Sequence, residues 1–284
     1  MRHHYVPEFL QKPWTENSPD GKLEVFRLDK HGIPSKRYTP KHTGFDHDLY
    51  ALTEEKIAGM EKQSVEKHFL SLIDNNAARV RAKLEGDGLK SLTIDDRMDW
   101  ARFLMSLRLR QPAIVEVLKR EASDQLRDSL KERPNEYEEL ATPEDATTLE
   151  KWTENEFPGL IGNFGLSFFH ELVDNPVIGG KILRMKWWLW DFQDAPYDLL
   201  LSDHPCIFVR SIDDPNCVIA LPIQPRKAFM ATQSDEVAKI MRKQRPRDLV
   251  MRLNESSVNQ TQARIYARNE SPRRFMEKRV ATKR

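Results

Sequence analysis

Two histidines stand side by side at His3 and His4, followed by Tyr5, Val6 and Pro7. A second polar cluster, Ser202-Asp203-His204-Pro205, lies between the apolar runs Leu199–Leu201 and Ile207–Val209. An imidazole is the side chain that most readily gains or loses a proton near neutral pH, and it also ligates metals. A carboxylate one residue away can orient it, ligate the same ion, or act as a base. Pro205 biases His204 toward an extended backbone. In an extended segment neighbouring side chains point to opposite faces, so one of His3 and His4 faces inward; the adjoining Tyr5-Val6-Pro7 favours His4. The structural alternatives are equally plain. A histidine can be satisfied by a nearby carbonyl, and Asp203 can accept backbone N–H groups in an Asx-type turn.

Further charged groups extend the list. Glu66 and Asp74 are two helical turns apart, about 80° around the axis. With His3, His4 and Asp203, Glu66 completes a set of candidate ligands for a divalent metal ion. His68 and Glu61 share a helical face with Val65 and Leu72. Arg108 and Arg110 flank the approach to Pro112, where a guanidinium fork suits a phosphate or carboxylate. Trp187, Trp188 and Trp190 can form a stacking platform for bases or belong to the core. No phosphate-binding glycine loop, dinucleotide fingerprint, G-x-S-x-G elbow, paired CxxC or H-E-x-x-H occurs, which disfavours P-loop and serine-hydrolase chemistry.

These residues need elements to hold them. Leu23–Leu28 alternates apolar and polar and predicts a half-buried strand. From Thr53, apolar residues at Ile57, Met60, Val65, Phe69, Leu72, Ile73, Ala77 and Val80 predict an amphipathic helix ending near Gly86. Thr93, with Asp96 three residues on, predicts the cap of a second helix that Pro112 should kink. Residues 121–156 and 158–173 read as helical. After Asn175-Pro176 short apolar runs take over, a polar helix spans 234–256, and 263–267 is a last strand. The expectation is one α+β domain over 1–284. It comprises N-terminal strands (1–50), a long-helix middle segment (53–173) packed against a mainly antiparallel β segment (182–268), and a mobile basic tail (271–284).

The formal net charge of +1 hides an asymmetry. From Arg226 onward 16 Lys and Arg face 6 Asp and Glu, whereas the remainder holds 29 against 38. A basic C-terminal region suits a nucleic acid or another polyanion, and it also suits docking onto the acidic part of the same chain. No apolar run is long enough for a membrane span, and no basic region leads into an apolar N-terminal stretch, so a cytoplasmic protein is expected. Cys206 and Cys217 read as free thiols. The oligomeric state is left open.

Several separated stretches resemble one bacterial family, domain of unknown function 4238. They are HHYVPEFL (His3–Leu10), a LEVFRLDK-like strand, Asp46–Tyr50, VEKHFLSLID, RLRQP (Arg108–Pro112), SDHP (Ser202–Pro205), LPIQP and the helix holding Asn254 and Asn259. His204 departs from the asparagine usual there. The resemblance implies a family without an activity. From the residues themselves, His4, Asp203, His204 and Arg108 make the minimum set for a phosphodiester hydrolase, nuclease-like and with or without a divalent metal. Arg110 and Trp188 would bind substrate. The rival expectation is a non-enzymatic binding protein in which the same cluster latches the N-terminus to the sheet. The hydrolase needs these groups in one open pocket; the latch needs them buried and paired.

Overall fold

The computed structural model of the chain describes residues 1–29, 32–52, 56–57, 60–132, 134–142 and 147–281. Outside them lie Thr53, where the expected first helix begins, His31, which opens a turn expected at 31–34, and Pro143, near which the sequence predicts a break in the acidic helical stretch. In chain order the elements begin with β1 (Arg2–His4), α1 (Glu8–Gln11), β2 (Leu23–Arg27), β3 (Ser35–Tyr38) and β4 (Phe45–His47). The hairpin β5 (Lys56–Ile57) and β6 (Met60–Glu61) precedes a π-turn at Val65–Leu70. Then come α2 (Ser71–Glu85), α3 (Ile94–Leu109), α4 (Pro112–Lys131), α5 (Pro134–Glu138), α6 (Leu149–Glu156), α7 (Leu160–Ser167), α8 (Phe169–Val173) and α9 (Pro176–Arg184). The last part holds β7 (Lys186–Asp191), β8 (Leu201–Ser202), β9 (Ile207–Val209), β10 (Val218–Gln224), β11 (Lys227–Thr232), α10 (Asp235–Arg242), α11 (Pro246–Gln260), β12 (Arg264–Ala267) and α12 (Arg273–Ala281). The class is α+β with antiparallel sheets, as expected.

Five features differ from the sequence reading, the first four for local reasons. The first helix starts at the π-turn rather than at Thr53, because Ile57 and Met60 pair across a hairpin; a three-residue spacing serves a tight hairpin as well as a helical face. Pro112 breaks rather than kinks its helix. Gln111 before it is extended (φ −67°, ψ 137°) and α4 restarts with proline in its first turn. Pro246 divides the expected 234–256 helix in the same way, with Arg245 at φ −67°, ψ 137°. Asn175 caps a further helix, α9, by accepting from the amides of Val177 and Ile178 at 3.1 Å each. The tail expected to be mobile holds the helix α12 (Arg273–Ala281), whose Met276 is fully buried.

The chain gathers into two compact units that do not follow chain order. One comprises 1–3, 46–72 and 109–174. Here Gly165 lets α7 lie directly on α4: a Cβ at this glycine would stand 2.5 Å from the Leu118 carbonyl oxygen. The Ser123 hydroxyl donates to the Ile161 carbonyl at 2.8 Å beside that contact. Tyr50 and Phe169 pack with ring centroids 5.7 Å apart.

The second unit comprises 4–45, 73–108 and 175–284 and holds two four-stranded sheets, β7-β11-β10-β9 and β3-β2-β12-β8. The first is covered on both faces. Trp188, Ala228 and Met230 meet Ala238, Leu249 and Val250 of α10 and α11. On the opposite face Phe229 packs against Trp100 and Trp187, with centroids at 5.6 and 5.1 Å. Two-sided burial explains why β10 reads as a nearly unbroken apolar run rather than an alternation.

The second sheet joins the beginning of the chain to its end. β2 pairs with β12 (Val25↔Tyr266, Arg27↔Arg264), and β12 with β8 (Ile265↔Ser202). Phe26, Ile265 and Ala267 face Val258 and Met276 in an apolar layer. By the two-residue period of strands, Val25, Arg27, Arg264 and Tyr266 face the other way. Thr93 caps α3 as expected. Its hydroxyl accepts from the Asp96 amide at 3.2 Å, while the Asp96 carboxylate accepts from the Thr93 amide at 2.8 Å and from Lys83 at 2.6 Å.

Candidate functional site

The HHYVP and SDHP stretches do meet, through residues other than their histidines. Asp203 is buried, and its carboxylate accepts three consecutive backbone amides: Gln262 at 3.1 Å, Ala263 at 2.5 Å and Arg264 at 2.9 Å. The Asp203 amide donates in return to the Arg264 carbonyl at 2.9 Å. This grip fixes the entry into β12 and so the root of Arg264. The Arg264 guanidinium then donates to the hydroxyl of buried Tyr5 at 2.5 Å. The line Tyr5–Arg264–Asp203 therefore ties the N-terminal segment to the sheet.

Arg264 also lines a cavity of about 360 Å³ on the outward face of β3-β2-β12. Arg27, directly opposite Arg264 across the strands, lies in its wall, with Lys36 and Tyr38 of β3 and with His42 and Thr43 from the following loop. Among the described residues, no carboxylate lines it. Among the described residues neither Arg27 nor Lys36 makes an ion pair; Lys36 Nζ stands 5.6 Å from the Tyr38 ring centroid. On the other side of β3, Arg37 is paired with Asp20 at 2.6 Å. Tyr266, on the same face as Arg264, is fully buried, and burial pushes its phenol well above the usual range, so it stays a neutral hydroxyl.

The loop over this cavity is held by Gly44 (φ +70°), whose carbonyl accepts from the Val6 amide at 3.0 Å. The buried Gln11 amide spans both segments, donating to the Val6 carbonyl at 2.7 Å and to that of Thr43 at 3.3 Å.

The remaining candidates are placed as follows. His3, not His4, is the fully buried member of the pair. Its Nδ1 accepts from the Tyr50 amide at 2.9 Å, its Nε2 is 2.6 Å from Gln63 Oε1, and its ring stacks on Tyr50. Burial lowers its pKa. His4 is half-buried, 3.7 Å from Glu8 Oε1 and edge-on to Phe45. His204 is half-buried, and its backbone carbonyl accepts from the Ser202 hydroxyl at 2.6 Å. Arg108 is exposed and lies over the Phe208 ring, 4.8 Å from its centroid. Burial pushes the nearby Cys206 thiol far up, with Arg108 pulling weakly the other way, so it has no nucleophilic character at neutral pH.

Arg110 is fully buried, and its backbone carbonyl accepts from the Tyr50 hydroxyl at 2.5 Å. Trp188 belongs to the core under α10 and α11, which removes it as a stacking platform. Glu66 is half-buried in the π-turn, while His68 and Glu61 are exposed rather than inward. His3 and Glu66 belong to one unit, His4 and Asp203 to the other. Among the described residues no three His, Cys, Asp or Glu side chains gather as metal ligands. Among them, too, no helix is long and apolar enough to cross a membrane.

Sequence reasoning missed Tyr5, Arg27, Lys36 and Arg264 as a group. Tyr5 lies inside the quoted motif and Arg27 ends the alternating strand, but nothing local signals that Arg27 faces Arg264. Among the described residues, five of the 16 C-terminal Lys and Arg are ion-paired: Arg226 and Arg268 with Asp198, Arg245 with Asp248, Arg273 with Glu270 and Arg279 with Glu255.

No curated protein and no solved structure matches the chain. The profile of one family, described as protein of unknown function (DUF4238), matches residues 2–271. That span includes both HHYVP and SDHP and nearly the whole chain, and the protein therefore belongs to the DUF4238 family.

Proposed function

We propose that the protein binds a phosphate-bearing ligand in the cavity between Arg27, Lys36, His42 and Arg264. The observation that carries this reading is the pairing of Arg27 with Arg264 in a cavity that no carboxylate lines among the described residues. Like charges directly opposite on adjacent strands cost stability. An anion between them converts that cost into two charge-assisted contacts, and guanidinium forks match a phosphate's oxygens. Tyr5 and Asp203 act here by holding Arg264 in place.

This reading favours the binding-protein alternative over the hydrolase. The oxygens of Asp203 are engaged by three amides, so that carboxylate is a poor base or ligand. Nucleic acid and a free nucleotide share the phosphate that the cavity recognises, and the experiment separates them. Calorimetric titration with inorganic phosphate, a mononucleotide and a single-stranded oligonucleotide at two salt concentrations is compared for wild type, Arg27→Ala and Lys36→Ala. Saturable binding that weakens about tenfold per substitution supports the site, since tenfold is about 1.4 kcal/mol. A steep salt dependence for the oligonucleotide alone identifies nucleic acid. Cleavage of the oligonucleotide that persists in Arg27→Ala, or affinities untouched by both substitutions, overturns it.

A further inference from the structure

β12 ends at a second cavity, which Ala267 and Arg268 help to line. It measures about 450 Å³, and its walls include Tyr197, Asp198, Arg226, Met251, Arg268 and Phe275. Asp198 is clamped between two guanidiniums: Arg226 Nε is 2.5 Å from Oδ1, and Arg268 Nε is 3.1 Å from Oδ2. Asn254 fixes the same residue by donating to its backbone carbonyl at 2.8 Å, and it takes the Leu200 amide on its own oxygen at 2.8 Å. Arg226 Nη1 is occupied by the carbonyls of Phe192 and Ala195.

These contacts leave Arg226 Nη2 and Arg268 Nη1 without a hydrogen bond to any described residue. Asp198 is the only carboxylate among the lining residues, against two guanidiniums, so the polar end carries an excess of one positive charge. The rest of the wall is largely apolar: Tyr197 is 44% exposed, and Met251 and the half-buried Phe275 stand with it. Cavities of this size enclose small organic ligands, with a few polar groups setting orientation.

We infer that this cavity is a binding site for a monoanionic, flat apolar carboxylate, held by the outer edges of Arg226 and Arg268 and covered by Tyr197 and Phe275. The charge match favours one negative charge over two. The rigid Asp198–Asn254 floor means that the guanidiniums need little ordering when the ligand enters. The site is independent of the phosphate reading, because it shares no residue with that cavity.

The test uses 2-naphthoate as probe, with acetate and 2-naphthylmethylamine as controls, by calorimetry on the full chain. The inference expects saturable 2-naphthoate binding, at least about tenfold tighter than either control. Arg268→Lys keeps the charge but loses the fork and should weaken binding about tenfold. Tyr197→Ala, at a partly exposed position that leaves the fold intact, should weaken it several-fold. Melting curves of both variants separate lost binding from lost folding, and inorganic phosphate should not displace the probe. Equal affinity for the amine, no saturation up to millimolar probe, or full affinity in folded Arg268→Lys would overturn the inference.

Discussion

Replacing Asp203 by asparagine tests whether this residue is a clasp or a catalyst. The carboxylate takes one amide on Oδ1 and two on Oδ2, at 3.1, 2.5 and 2.9 Å, in a site where the residue is 3% exposed. Hydrogen bonds to a charged group contribute about 1.5–3 kcal/mol each, and a buried donor left unpaired costs about 1–3 kcal/mol. Asparagine keeps one oxygen, which can serve the two amides at Ala263 and Arg264. Its NH₂ then faces the Gln262 amide, donor against donor, and the two retained bonds lose their ionic component. The expected loss is about 2–4 kcal/mol. The assay is urea unfolding at neutral pH, with the midpoint falling and the slope unchanged. Phosphate affinity should fall with it, because the entry to β12 roots Arg264. If Asp203→Asn unfolds within about 0.5 kcal/mol of wild type while an oligonucleotide-cleaving activity disappears, the clasp argument is wrong and Asp203 is a catalytic group.

Three further outcomes follow from the packing. Gly44→Ala puts a Cβ 2.7 Å from the Gln11 amide nitrogen at φ +70°, and should cost about 2–3 kcal/mol in thermal or urea unfolding; a cost near zero would mean that the loop over the Arg27–Arg264 cavity is not held as described. His3 accepts the Tyr50 amide on Nδ1 and is therefore held neutral, with its pKa lowered by burial. Its contribution is fully present above the unfolded value of about 6.5 and declines as pH falls from there toward the lowered folded value, by up to about 1.4 kcal/mol per pH unit. A stability-against-pH series should be flatter in that window for His3→Asn, whose amide oxygen can take over the acceptor position. Asp96 is held below the usual carboxylate range by Lys83 first and then by Thr93. Its support is present above about pH 4 and lost as pH falls further. Asp96→Ala should cost about 1–2 kcal/mol at neutral pH, measured by unfolding, and progressively less in acid.

The α3 cap was legible at Thr93 and Asp96 because a capping box is closed within four residues. The α+β class followed from a change of period, from alternation at Leu23–Leu28 to threes and fours and back to short apolar runs. That His3 and His4 take opposite sides follows from extended geometry. Which of them is buried does not, since it depends on Tyr50 and Gln63, far along the chain. The buried indole of Trp188 and the exposed guanidinium of Arg108 were equally undecided, because a tryptophan strand reads the same whether α10 and α11 cover it or solvent does.

By itself, then, the sequence determined the parts whose causes are local: the Thr93 cap, the strand alternation at Leu23–Leu28, the α+β class and the family. The tertiary structure decided their use. Register between β2 and β12 set Arg27 against Arg264, the three amides at residues 262–264 claimed Asp203, and Tyr5 rather than a histidine made the junction. Those outcomes rest on pairings between residues more than fifty positions apart. Strand pairing over such distances is fixed by which faces bury their apolar side chains, and no local window of the chain contains that information.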